Sequence, residues 1–205
     1  MDIKLNFINR SNDVNNSQIV IFQKNVATDF DELAIAWKVI TYCGRGDNHP
    51  FVFPVRTTLT ASDSDGNFMP QRPAQNGQMF SVARSASGNV LSLAGASSSS
   101  REIQLRNDLR KGAISVSAFK DNRLLARKTG VVPGQKAVFE FKPTLWIGTA
   151  SQIEEGATLN SAVISDINTE LTLLGVASAD IVMTGGGGGS AAVPYQFQLA
   201  NVIMC

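Results

Sequence analysis

The chain is poor in the residues on which metal and nucleophilic chemistry depend. Its 205 residues include one histidine, His49, and two cysteines, Cys43 and Cys205. Imidazole ligands must converge in numbers, so a histidine-rich metal centre within one chain is excluded and no metal or cofactor is expected. Two cysteines cannot build a disulfide framework, and two free thiols in a reducing cytoplasm is the plain reading. An excess of one charge is missing too: 18 Lys and Arg stand against 17 Asp and Glu, a net charge of +1. A general polyanion binder carries a concentrated basic excess, so nucleic acid is not an expected partner. No apolar run approaches the roughly 18 residues of a membrane-spanning helix. Residues 1–14 lack the basic segment and sustained apolar stretch of a secretory leader. A cytoplasmic location follows as the expectation, with leaderless export as the alternative.

Sequence signatures of common chemistries are also missing. There is no G-x-S-x-G elbow for a serine nucleophile and no G-x-x-x-x-G-K-[ST] loop for phosphates. Asp63-Ser64-Asp65-Gly66-Asn67 starts like a calcium loop, but the twelfth position is Ala74 where a bidentate glutamate is required. A hydrophilic hairpin turn is the simpler reading. Cys43 and His49, six residues apart around Gly44 and Gly46, form the one candidate nucleophile–base pair. Glu154 and Glu155 are candidate acid–base groups with Asp47, yet adjacent residues on a strand point to opposite faces and cannot act together. Arg45-Gly46-Asp47 spells the integrin-read tripeptide, a match short enough to arise by chance.

What is present is short apolar alternation between turn residues, with 43% of residues hydrophobic. That is enough for a sizeable core and the mark of an all-β chain. Ile19-Val20-Ile21-Phe22 reads as a buried strand, and Phe51-Val52-Phe53 between two prolines as an edge strand. Residues 79–84 and 90–94 form a hairpin pattern. Residues 113–119 and 124–128 form another around Asp121-Asn122, a pair that tolerates positive φ. Pro133-Gly134 suits a type II turn. Residues 29–40 fit either a helix or a strand, and the crowding of β-branched and aromatic residues after Ile35 favours the strand. Strand is also read over residues 103–105, 163–167, 171–174, 180–183 and 195–204. The five consecutive glycines from Gly185 to Gly189 read as a flexible connector before the last strand. No repeat is visible at a fixed period.

These patterns predict one all-β domain over residues 1–205. It should be an antiparallel, jelly-roll-like β-sandwich of about ten to twelve strands with at most one short helix. The expected function is non-catalytic: binding of a ligand, glycan or partner, or self-assembly. Trp37, Tyr42, Trp146 and Tyr195 are the candidate platforms for a glycan or small molecule. The uncharged C-terminal segment Val202, Ile203, Met204 and Cys205 is the candidate interface of a homo-oligomer, in the first instance a dimer. Two alternatives stand beside it. One is a leaderless membrane-active, pore-forming-type protein inserting residues 163–183 as a hairpin, disfavoured by the scarcity of interfacial Trp and Tyr. The other is a metal-free enzyme with a barrel pocket. The basic residues between Arg101 and Lys128 are read as a solvated strand face. Residues 7–25 and 44–54 have the look of small microbial proteins, which implies no function.

Overall fold

Strands account for more than half of the backbone. The computed structural model describes residues 2–15, 17–27, 34–167 and 169–205. Among them are sixteen strands: β1 (Ile3–Asn9), β2 (Gln18–Phe22), β3 (Lys38–Ile40), β4 (Asn48–Phe53), β5 (Thr57–Ser62), β6 (Arg72–Ala74), β7 (Gln78–Ser85) and β8 (Gly88–Ala96); then β9 (Ile103–Asn107), β10 (Ile114–Lys120), β11 (Arg123–Val131), β12 (Lys136–Phe139), β13 (Thr144–Ala150), β14 (Thr169–Thr172), β15 (Val176–Gly186) and β16 (Val193–Met204). The fold is all-β, with more strands than the ten to twelve expected. One correction concerns residues 163–167, where patterning expects a strand. The chain there forms the α-helix α1 (Ser161–Asp166), because the Asn160 side chain accepts from the Val163 amide and caps the first turn. Of residues 29–40, those up to Leu33 lie outside the described residues; beyond them, β3 and a bridge between Ile35 and Thr158 bear out the strand.

The chain divides into two compact units. One comprises Met1–Gln23, Leu33–Val55 and Pro143–Cys205; the other comprises Lys24–Glu32 and Arg56–Lys142. The second unit, β5 to β12, pairs into an antiparallel sheet β11-β10-β5-β6 and a mixed sheet β12-β9-β7-β8. Both sheets contribute to one core: Leu59 and Ala61 from β5 and Val116 from β10 join Phe80 and Val82 from β7 and Phe139 from β12. It is a sandwich, and each fully buried Phe or Leu in it contributes roughly 1.5–3 kcal/mol.

The first unit is built in the same way, from an antiparallel sheet β14-β13-β2-β3 and a mixed sheet β16-β15-β1-β4. Its β2 explains the unbroken Ile19–Phe22 apolar run, since that strand is covered on both faces. Val20 and Phe22 join Ala36, Leu159 and Ile167 on the side of α1, and Ile19 and Ile21 are buried on the other.

The two units share one connectivity. Taken cyclically from β13 to β16 and on through β1 to β4, the first unit repeats the order β5 to β12 of the second. First and second strands form a hairpin in each (β13–β14, β5–β6), as do third and fourth (β15–β16, β7–β8). The third lies parallel to the fifth (β15 to β1, β7 to β9), and the fifth antiparallel to the eighth (β1 to β4, β9 to β12). The first pairs with the sixth (β13 with β2, β5 with β10), and sixth and seventh form the last hairpin (β2–β3, β10–β11).

Hydrogen bonds repeat along with the strands. Asn9 ends β1 and Asn107 ends β9, and both are buried. The Asn9 amide donates to the Asp47 carbonyl while Gly46 donates back to Asn9; Asn107 donates to Gln135 while Gly134 donates back to Asn107. The Asn9 Nδ2 donates to the Cys43 carbonyl at 2.8 Å, and the Asn107 Nδ2 to the Val131 carbonyl at 2.8 Å. Each Oδ1 accepts the amide two residues on, from Ser11 and Leu109. Gly46 and Gly134 both hold the positive φ of the turn, 89° and 82°.

Candidate functional site

Period-two alternation in β1 sends Ile3, Leu5 and Phe7 inward and leaves Lys4 exposed and Asn6 half-buried on the other face. On that outer face of the sheet β16-β15-β1-β4 lies an open groove of about 340 Å³, lined among others by Lys4, Asn6, Pro50, Asp180, Asn201 and Ile203. Asp180 is its centre. One carboxylate oxygen accepts from Asn6 Nδ2 at 3.2 Å and the other from Asn201 Nδ2 at 2.6 Å. Asn201 takes φ +50° beside a shift in the β15–β16 register, and this irregularity brings its amide over the carboxylate. Asn6 Oδ1 is buried without a hydrogen-bond partner. The groove thus holds one carboxylate, one lysine and two side-chain amides.

The same sheet ends in β16, which pairs on one side with β15 and stands at the edge. From Tyr195 to Met204 this edge contains neither a charged residue nor a proline. Phe197 and Leu199 lie across from Met183 and Ile181, with exposed Gln198 between them. Val202, Ile203 and Met204 are 42%, 62% and 61% exposed, so the apolar C-terminal segment lies on the surface. Cys205 is exposed and Cys43 buried, and both thiols are free.

The four aromatic residues singled out in the sequence do not line that groove. Trp37 is 1% exposed and packs edge-on against Phe53 at 5.2 Å between centroids. Trp146 is half-buried and stacks on Phe22 at 6.4 Å beside the core under α1. Tyr195 donates its hydroxyl to Asp13 Oδ1 at 2.8 Å. Only Tyr42, 88% exposed at φ +59°, presents a free ring to solvent. The polar groove residues were missed because Lys, Asn and Asp on an outer strand face look like any solvated face. Only the close approach of the separated positions 6, 180 and 201 distinguishes them.

Several other candidates acquire definite roles. Burial, and then the charge of Asp47, pushes the Cys43 thiol up, the opposite of what a thiolate nucleophile requires. Burial and the nearby Lys38 hold the His49 imidazole below its ordinary value, against a smaller opposing pull from Glu155. Asp63 accepts from the Asp65 and Asn67 amides and from the Asn67 side chain, closing its own turn. Glu155 accepts the Val39 amide at 3.2 Å. Among the described residues no three His, Cys, Asp or Glu cluster as metal ligands would. Arg101, Arg106 and Arg123 each pair with a carboxylate, of Glu140, Asp108 and Asp121. Residues 163–183 divide between α1, β14 and β15, and β15 is paired on both sides inside its sheet. No helix among the described residues is long and apolar enough to cross a membrane.

Comparison of the chain with protein families, curated proteins and solved structures finds no match. The functional reading therefore rests on the geometry alone.

Proposed function

We propose that the protein is a non-catalytic binding module that works as a homo-oligomer, with the outer edge of β16 as its interface. The observation that carries this is the ten-residue edge from Tyr195 to Met204, free of charge and of further proline. Such an edge exposes backbone donors and acceptors to a second strand, and natural sheets ordinarily blunt it. An antiparallel pairing with β16 of a second copy, about a two-fold axis through Gln198, sets Phe197 opposite Leu199 of that copy. It also brings the exposed Val202–Met204 tail toward Val193 and Pro194, and no like charges oppose one another. Light scattering is expected to give a dimer or a multiple of it for the wild type. The Q196K/Q198K variant, altered only at exposed positions, should shift that mass downward. A wild-type monomer at all accessible concentrations would refute the reading.

The groove at Asp180 supports binding of a neutral hydroxylated ligand, a glycan or small molecule, by the same module. Titration with neutral oligosaccharides, followed by NMR shifts at Asn6 and Asn201, tests this. Shifts should appear in the wild type and vanish in Asp180→Ala; their absence from the wild type speaks against a glycan.

A further inference from the structure

The second unit carries its own counterpart of the β16 edge. Eight strands border the four sheets: β16, β4, β14, β3, β11, β6, β12 and β8. Seven of them contain a charged residue or a proline within the strand: Pro50 in β4, Glu170 in β14, Lys38 in β3, Arg123, Arg127 and Lys128 in β11, Arg72 and Pro73 in β6, Lys136 in β12, and in β16 only Pro194, at its second position. Free of both are β16 beyond Pro194, and β8, whose nine residues Gly88–Ala96 include no charge and no proline. These two strands occupy the same place in the shared connectivity, each the outer strand of the hairpin that begins with the parallel-paired strand.

The correspondence extends to single residues. Asn9 pairs with Met183 and Asn107 with Val82, so the buried asparagines align Met183 with Val82. Phe197 lies across from Met183, and Leu91 across from Val82. The triplet Phe197-Gln198-Leu199 of one edge therefore corresponds to Leu91-Ser92-Leu93 of the other: apolar, exposed polar, apolar. Leu91 is 2% exposed, whereas Leu93, across from Phe80, is 58% exposed. A leucine on the core-side parity of an edge strand is thus left in water.

We propose that β8 is a second docking edge whose occupant is β8 of another copy of this chain. A two-fold axis through Ser92, the midpoint of the strand, sets Leu93 opposite Leu91 of the second copy. It opposes Ser92 to Ser92, so only neutral residues meet and the exposed leucine gains an apolar neighbour. A register shift between Leu93 and Gly95 confines regular pairing to the segment ending at Leu93, which contains the apolar pair. This deepens the self-assembly reading above: dimers joined at β16 would be linked at β8 into assemblies larger than a dimer, because each protomer then carries two distinct two-fold contacts.

Two measurements test it. In light scattering the wild type should grow beyond a dimer with concentration, and S92K/L93K should stop at the dimer. Q196K/Q198K should also stop at a dimer, one held by β8, and the variant with all four lysines should be monomeric. In a Cys205→Ser background, Ser92→Cys should give a disulfide-linked dimer under mild oxidation, with Thr129→Cys, exposed in the charged edge strand β11, as the control that does not. A wild type that stays a dimer, unaffected by S92K/L93K and uncrosslinked at position 92, overturns the proposal while leaving the β16 interface standing. A dimer dispersed by S92K/L93K and untouched by Q196K/Q198K overturns the β16 interface and keeps β8.

Discussion

A buried asparagine at the end of one strand does the same job twice in this chain. Asn9 and Asn107 each tie a strand terminus to a distant carbonyl and to the next turn, using both ends of the amide. Removing either leaves buried backbone groups unpaired, so Asn9→Ala and Asn107→Ala should each lower stability by about 2–3 kcal/mol in urea denaturation. Three depressed groups shape the acid response: Asp13, Asp63, held down first by the Asn67 amide and side chain, and His49. Burial alone would raise Asp13, but donors from Asn15, Ser17 and Tyr195 outweigh it and hold its carboxyl below the ordinary 3.8. Its contribution is complete above 3.8 and is lost as pH falls through the lower, folded value. His49 is also depressed, below 6.5, so its neutral form is favoured by folding and stability declines as pH falls from 6.5 through the folded value. Urea midpoints measured from pH 3 to 8 should therefore fall in two windows on acidification, with His49→Gln flattening the upper and Asp13→Asn reducing the lower, which Asp63 shares. At this scale little was legible in the sequence. A buried asparagine and an exposed one are the same letter, and so are an aromatic side chain in the core, as Trp37 is, and one in solvent, as Tyr42 is.

Elements were far more legible, because period-two alternation and turn chemistry are local. The Asp121-Asn122 hairpin has its two positive φ values, 51° and 57°, and Pro133-Gly134 closes its turn with the Gln135 amide donating to the Val132 carbonyl. The helix at Ser161–Asp166 escaped because Val163 and Ile164 resemble a strand, while a single cap residue, Asn160, decides the issue. The glycine run also differs from expectation. Gly185 and Gly186 end β15 at positive φ, and a Cβ on Gly185 would lie 2.2 Å from the Pro194 carbonyl oxygen. Gly188 has open space around it and an extended backbone. Gly185→Ala should consequently cost at least about 2 kcal/mol and Gly188→Ala less than about 0.5 kcal/mol. Thermal melts of the two variants decide between a built turn and a mere connector; equal melting temperatures would favour the connector.

For the whole molecule, the duplicated connectivity stayed hidden because its copies are offset by circular permutation and share few residues. Cys43-Gly44-Arg45-Gly46-Asp47 and Val131-Val132-Pro133-Gly134-Gln135 match in hydrogen bonding but have only the turn glycine in common. The geometry makes the permutation testable. Ile203 and Lys4 both pair with Ser178, on the two sides of β15. Two strand spacings separate them, about 10 Å. A chain opened between residues 55 and 56, with residues 205 and 1 joined by a short glycine–serine linker, runs through β5 to β12 of the second sandwich and then β13 to β4 of the first, with only Lys24–Glu32 returning to the second unit. It should retain the wild-type circular dichroism and cooperative melting; an unfolded product would contradict the shared connectivity. The central functional claim is that the edges left unguarded in both sandwiches exist to pair with copies of themselves. Hydrogen exchange as a function of protein concentration tests it most directly. Alternate amides within residues 195–204, those facing away from β15, should become protected as concentration rises and lose that protection on dilution. Amides there that exchange freely at every concentration would contradict it.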